Sequence, residues 1–234
     1  MAIWVFGYGS LISKAGFNYD ERLVGFIKGY RRVFYQGSTD HRGTPEFPGR
    51  TVTLEPAEGE ICVTGFNYDE RLVGFIKGYR RVFYQGSTDH RGTPEFPGRT
   101  VTLEPAEGEI CWGAAYKISK EEDQEIALTY LEVREKQYDR KEYVDIFTEL
   151  NAATPAVSGA LVYIASPDKK VNVNYLGPAS VEDIARQIVQ AEGPSGPNRE
   201  YLFVLENALL QIGSKDEHVI DLANEVRRII SEEN

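Results

Sequence analysis

The chain has 234 residues, 41% hydrophobic, 12% aromatic and 26% charged, with a formal net charge of -10. That composition supplies one sizeable apolar core and excludes a disordered or low-complexity chain. An acidic average surface argues against a nucleic-acid groove, which is normally basic, and no run approaches the ~20 apolar residues of a membrane helix. The expected partner is therefore a small molecule, with neither nucleic acid nor membrane involved.

The apolar stretch that begins at Ala2 is broken by Gly7 and Gly9 and has no basic leader, so it does not read as a signal peptide. Cys62 and Cys111 are too few for a disulfide framework, and neither belongs to a Cys-x-x-Cys or Cys/His cluster. A reducing, cytoplasmic setting and no structural metal are expected.

In chain order, Trp4-Val5-Phe6-Gly7-Tyr8-Gly9-Ser10-Leu11-Ile12 predicts a strand of bulky residues that meets two glycines. Residues 16–62 then recur without a single change as residues 65–111, at an offset of 49. Evolved repeats diverge, and a solenoid needs about three units to bury a continuous core. Two perfect copies followed by unrelated sequence read instead as a tandem duplication within one domain spanning 1–234, leaving one copy surplus. Both cysteines, and His41 with His90, are single positions counted twice. Each copy holds seven acidic and six basic residues, so the charge argument survives removal of either.

Insertions are tolerated better at turns than inside strands. Use of the second copy would place the surplus (about 13–64) just beyond the glycine turn. Use of the first would place it (about 63–111) in the strand running through Cys111, Trp112 and Tyr116. The second copy is therefore the expected occupant of the core.

Within the copy, Leu72 to Tyr84 predicts one or two strands and Ser87 to Pro94 a loop, while a hairpin is expected about Glu104-Pro105-Ala106-Glu107. Ser119-Lys120-Glu121-Glu122 matches a capping box opening a helix that ends near Glu135-Lys136. Strands follow at 143–148 and 159–164. Ser180-Val181-Glu182-Asp183 opens a second helix, Gly193-Pro194-Ser195-Gly196-Pro197 breaks it, and apolar spacing resumes to the end. Strands first and helices concentrated in the final third indicate an α+β fold with a mixed or mainly antiparallel sheet.

Three places could carry chemistry. A strand that ends on Gly7-Tyr8-Gly9 exposes bare backbone N–H groups able to cradle a carboxylate or an oxyanion, or it is simply a tight turn. Glu135 stands where the helix dipole disfavours a carboxylate, which with burial would raise its pKa toward proton transfer. A solvated Glu between Arg134 and Lys136 is the ordinary alternative. Asp89-His90-Arg91-Gly92 reads as a turn network in which Arg91, or Arg42 in the first copy, could capture a substrate carboxylate. His218 reads as a surface residue of a charged helix.

The order of Trp4 to Ile12, Gln-Gly-Ser-Thr-Asp-His-Arg-Gly (36–43 and 85–92), Val133-Arg134-Glu135-Lys136 and Gly193-Pro194-Ser195-Gly196-x-Asn198-x-x-Tyr201-Leu202 resembles the ChaC-like family of glutathione-specific γ-glutamylcyclotransferases. Gln137-Tyr138 looks like its plant branch. The resemblance covers nearly the whole chain once one copy is set aside. It implies a small barrel-like mixed sheet with flanking helices, Glu135 as the catalytic acid and base, a substrate loop of Gly7, Tyr8, Gly9, Ser10, Leu11 and Ile12, and Tyr201 lining the pocket. The implied reaction converts glutathione to 5-oxoproline and cysteinyl-glycine without a cofactor. The alternatives are cyclisation of other γ-glutamyl compounds, or a binding or regulatory protein inactivated by the duplication. One departure stands beside the loop, where the family has Trp after Leu-Ile and this chain has Ser13.

Overall fold

β1 (Ile3–Gly7) runs into a single 3-10 turn at Ser10–Ile12. β2 (Ile27–Ser38) and β3 (Gly49–Cys62) form an antiparallel hairpin of their own. The computed structural model describes residues 2–12, 27–38, 49–62 and 70–233. The chain divides into one unit of Met1–Ala15 with Asn67–Asn234 and a second of Gly16–Phe66. Ser13, His41 and Arg42 lie outside the described residues.

β4 (Glu70–Ser87) and β5 (Gly98–Ile118) are the second copy of the same hairpin. Identical sequence produces identical register: Ile27↔Cys62, Val33↔Thr53 and Ser38↔Gly49 recur as Ile76↔Cys111, Val82↔Thr102 and Ser87↔Gly98, with register shifts at the same two places. What differs is the sequence that follows. Beyond Cys111, β5 continues into residues outside the repeat, and these pair with β4 from Phe75↔Trp112 to Glu70↔Lys117. The same stretch pairs on its other edge with β1, from Gly7↔Ala114 to Ile3↔Ile118. Residues 112–118 thus join the second hairpin to the N-terminal strand. Gly113 permits the close approach, since a Cβ there would fall 2.4 Å from the Gly7 carbonyl oxygen.

No hairpin forms at 104–107. β5 is one strand, and the punctuation that predicted a turn marks a bulge: Lys77↔Ile110 is followed by Tyr79↔Pro105, so the stretch from Pro105 to Ile110 is opposed only by that from Lys77 to Tyr79. Gly78 and Gly108, both at φ +80, supply the left-handed backbone, and Pro105 is tolerated at the irregularity.

α1 (Glu121–Arg134) begins at an N-cap of Lys120 with no side-chain cap hydrogen bond, so Ser119 is not the capping residue. β6 (Arg140–Ile146) and β7 (Val157–Ile164) pair antiparallel, and β7 meets β1 in parallel at Val5↔Leu161. The five-stranded order is β4-β5-β1-β7-β6, a mixed sheet. It is barrel-like without being a closed barrel: its two edges meet through a bridge, Phe75↔Phe147, whose two backbone hydrogen bonds measure 2.8 and 2.9 Å.

α2 (Val181–Gln190) starts as expected at Ser180, whose hydroxyl accepts from the Asp183 N–H at 3.1 Å. β8 (Glu192–Gly193) and β9 (Gly196–Pro197) make a minimal hairpin out of the Gly/Pro stretch, and α3 (Asn198–Gln211) and α4 (Glu217–Glu232) complete the chain. Apolar residues one helical turn apart, such as Ile184 and Ile188, Leu202 and Leu205, and Leu222 and Val226, bury one stripe of each of these helices in a core shared with Phe6, Phe83 and Val162. Burying each such side chain contributes roughly 1.5–3 kcal/mol. Among the described residues no helix is long and apolar enough to cross a membrane.

Candidate active site

Four of the carbonyls in the turn after β1 are taken by protein donors. The Tyr8 carbonyl accepts from Arg81 Nε at 2.7 Å, that of Gly9 from the Ile12 N–H at 2.9 Å, that of Leu11 from the Tyr116 hydroxyl at 2.7 Å, and that of Ile12 from Arg71 Nη2 at 3.3 Å. In a trans peptide the N–H points opposite to the C=O. Drawing the Tyr8 carbonyl onto Arg81 therefore turns the Gly9 N–H the other way, and that N–H donates to no acceptor among the described residues.

The glycines are required for space. A Cβ at Gly7 would lie 2.3 Å from Leu11 Cβ, because the turn folds back onto the strand end. A Cβ at Gly9 would stand 3.0 Å from Val101 Cγ2 and 3.2 Å from the Tyr201 hydroxyl.

Glu135 is the C-cap of α1, with its N–H bonded to the Leu131 carbonyl at 2.8 Å and its own carbonyl receiving the Tyr138 N–H at 2.8 Å. These bonds hold it where the helix stops. Its side chain is only 15% exposed, and Arg134 Nε lies 3.3 Å from Oε1. Burial raises the carboxyl above its ordinary value, while the Arg134 charge pulls it partly back. Arg134 also donates to Ser10 Oγ at 2.7 Å and to the Tyr130 hydroxyl at 3.0 Å. One guanidinium therefore links the carboxylate to the glycine turn.

Tyrosines surround this carboxylate. Tyr8, Tyr138 and Tyr201 are raised by burial first, Tyr201 to about 12, and the Glu135 charge contributes to each. Their hydroxyls stay protonated at neutral pH and serve as hydrogen-bond groups, not bases. Tyr8 donates to the Tyr163 carbonyl at 2.7 Å, Tyr138 to the Val101 carbonyl at 2.7 Å, and Tyr201 accepts from the Val101 N–H at 3.4 Å.

Arg91 stands on the loop that packs against β8 and β9. Its Nη1 donates to the Pro197 carbonyl at 3.2 Å and lies 3.9 Å from Glu200 Oε2. Gly193 fits because a Cβ would be 2.5 Å from both the Gly92 nitrogen and the His90 oxygen. Asn198 is fully buried and locks this segment to β5, accepting from the Arg99 N–H at 2.7 Å and donating to the Arg99 carbonyl at 2.9 Å. The Gly-Pro-Ser-Gly-x-Asn motif thus places α3, and with it Tyr201. His218 is half-buried rather than solvated: its Nε2 accepts from the Phe83 N–H at 3.3 Å, and its ring packs on Phe83 and Tyr84. Burial lowers its pKa.

The structure brings Gly7 to Ile12, Glu135 and Tyr201 together. Sequence reasoning missed three contributors: Arg81, the Tyr138 hydroxyl, and Arg134 as a link. None of the three left a distinguishing local signal: Arg81 alternates with Tyr79 and Phe83 as Arg80 does with Val82 and Tyr84, and only the fold buries Arg81 while leaving Arg80 exposed.

A model of the ChaC-like protein family matches residues 3–68 and 60–229, each stretch taking in one of the two identical segments. The chain is 58% identical to γ-glutamylcyclotransferase 2-3 of Arabidopsis thaliana over 99% of its length and 92% of that protein's. It is 35% identical to glutathione-specific γ-glutamylcyclotransferase 1 of Mus musculus, over 98% and 80% of the two chains. A crystal structure of the γ-glutamylcyclotransferase specific to glutathione from yeast superposes with a TM-score of 0.67 at 26% identity, covering 97% of this chain and 96% of that one. With the family model matching most of its length and relatives this similar along nearly all of it, the chain belongs to the ChaC-like family.

Proposed function

We propose that this protein is a glutathione-specific γ-glutamylcyclotransferase that releases 5-oxoproline and cysteinyl-glycine. The observation that carries the reading is the juxtaposition, through Arg134, of one buried carboxylate, raised in pKa, with a glycine turn in which the Tyr8 carbonyl is drawn onto Arg81 and the Gly9 N–H faces away from it. The names of the mouse and yeast relatives supply the substrate.

Glu135 takes a proton from the substrate α-ammonium. The freed amine attacks the γ-carbonyl of the same residue and closes a five-membered lactam. Negative charge collects on the former carbonyl oxygen, where the Gly9 N–H is placed to meet it. Collapse expels the cysteinyl nitrogen, which receives the proton held by Glu135; the second proton, shed by the ring nitrogen as the lactam forms, follows through the same carboxylate, so cysteinyl-glycine leaves as its ammonium. No water is consumed. Because the attack is intramolecular, holding the amine and carbonyl about 3 Å apart supplies much of the rate through effective molarity.

Gly7, Tyr8, Gly9, Ser10, Leu11, Ile12 and Tyr201 form the substrate surface in this reading, with Arg91 at its border as a contact for a substrate carboxylate. The second copy of the repeat supplies the working hairpin, since residues 112–118 follow it directly and pair with β1. A cytoplasmic location fits a buried Cys111 thiol that forms no disulfide. Incubating the protein with glutathione, and with a panel of other γ-glutamyl compounds, tests the proposal. Release of 5-oxoproline from glutathione in preference to the panel is expected; preference for another member would reassign the substrate, and glutathione binding without turnover would sink the enzymatic reading.

A further inference from the structure

We infer that Arg81 is a positioning residue for the proposed reaction: it fixes the plane of the Tyr8–Gly9 peptide so that the Gly9 N–H faces the reacting carbonyl, and Asp216 of the α4 cap holds it in place. The inference rests on the cyclotransferase reading for its chemistry, but its geometry stands by itself.

Arg81 is a cation in a strand core, its side chain 0% exposed. Replacing a buried ion pair with apolar residues is often neutral or stabilising, so fold stability alone is a weak reason for one to be there. Here every arm of the fork is used. Nε donates to the Tyr8 carbonyl at 2.7 Å, Nη1 pairs with Asp216, and Nη2 donates to the Trp112 carbonyl. The partners come from three parts of the unit: the glycine turn, the N-cap of α4 and the start of the segment that pairs with β1. Asp216 is itself fixed, since its Oδ1 accepts the Val219 N–H at 3.2 Å.

A rigid planar group held at two points has no freedom left at the third. The Tyr8 carbonyl must therefore point at Arg81, and peptide planarity directs the Gly9 N–H away from it. A Cβ at Gly9 would stand 3.2 Å from the Tyr201 hydroxyl, so the turn borders this tyrosine, and Tyr201 is within the field of Glu135, whose partner Arg134 also holds Ser10. The N–H is consequently set on the side where Glu135 moves the proton. Lysine at position 81 would keep the charge and lose the fork.

The test uses Arg81→Lys and Asp216→Asn in the full chain, the latter because Asn caps a helix as well as Asp. Rates are normalised to the folded fraction from circular dichroism, and the Gly9 amide is followed by ¹⁵N–¹H NMR, with the Gly7 amide as control. Loss of an oxyanion donor costs about 10²–10³ in kcat. A misaimed one in Arg81→Lys is expected to cost at least about tenfold, with KM within about twofold, an unchanged pH profile, and a Gly9 resonance that moves while Gly7 stays. Asp216→Asn should fall between wild type and Arg81→Lys. An unmoved Gly9 resonance, or a normalised kcat equal to wild type in folded Arg81→Lys, overturns the assignment. If wild type releases no 5-oxoproline, the cyclotransferase reading fails, and the Gly9 resonance alone still decides whether Arg81 sets the peptide.

Discussion

Phe34 and Phe83 sit at the same place in two identical segments, so any difference between their substitutions reports which hairpin the core uses. Phe83 is fully buried. Its ring meets Tyr201 edge-on at 6.0 Å between centroids and packs against His218 at 6.0 Å, and its N–H is held by that histidine. Truncating a buried Phe to Ala removes about 3–5 kcal/mol. In a unit of this size each kcal/mol shifts Tm by about 2–4 °C. Phe83→Ala should therefore lower the melting temperature of the enzymatic unit by about 6–20 °C and reduce glutathione turnover through Tyr201, whereas Phe34→Ala leaves both where they were. Differential scanning calorimetry with a parallel 5-oxoproline assay reads the two effects. Equal losses from the two substitutions, or a larger loss from Phe34→Ala, would refute the argument that residues 112–118 select the hairpin they directly follow. Deletion cannot substitute for this comparison: removing 16–64 or 63–111 yields one and the same 185-residue chain, 49 shorter than the original. That chain should fold and turn over glutathione at least as well as the parent.

Further outcomes follow from the site. Removing the charge of Arg134 takes away the influence that lowers Glu135, so Arg134→Gln should move the acid limb of the kcat/KM profile to higher pH; a limb that stays or moves down would contradict the pairing. Gly7→Ala places a Cβ 2.3 Å from Leu11 Cβ and cannot be accommodated without moving the turn, so activity and thermal stability should fall together, seen by calorimetry and turnover. Because the folded state binds the Glu135 proton more tightly than the unfolded chain, the ionised carboxylate opposes folding. Its penalty is absent below the ordinary value of 4.5 and grows as pH rises through the raised one. Glu135→Gln should accordingly be at least as stable as wild type at pH 7 and lose that advantage in acid, as denaturant midpoints measured across pH would show.

Local signals were legible where local physics decides. Ser180 announced α2 because its hydroxyl caps the chain within three residues, and the strand ending on Gly7 was visible because only glycine lets Leu11 fold back. The 104–107 stretch misled because Pro and Gly punctuate a bulge as they do a hairpin; the difference lies in Lys77 to Tyr79 across the ladder, which no local window contains. The capping box at Ser119 matched in composition, yet the helix begins one residue later because β5 runs on to Ile118. His218 looked solvated from its charged neighbours, and only the fold sets it against Phe83. In the candidate site, Glu135 and the turn could be nominated from motif order, but the Arg81 fork and the Tyr138 and Tyr201 hydroxyls on Val101 depend on contacts 31 to 135 residues apart in the chain.

The most direct measurement is 5-oxoproline release from glutathione by wild type and by Glu135→Gln, each shown to be folded. Release by wild type is expected, with a fall of about 10²–10⁴ in kcat for the variant, the range a positioned acid and base supplies, and glutathione still bound. Turnover by Glu135→Gln at the wild-type rate would contradict that role.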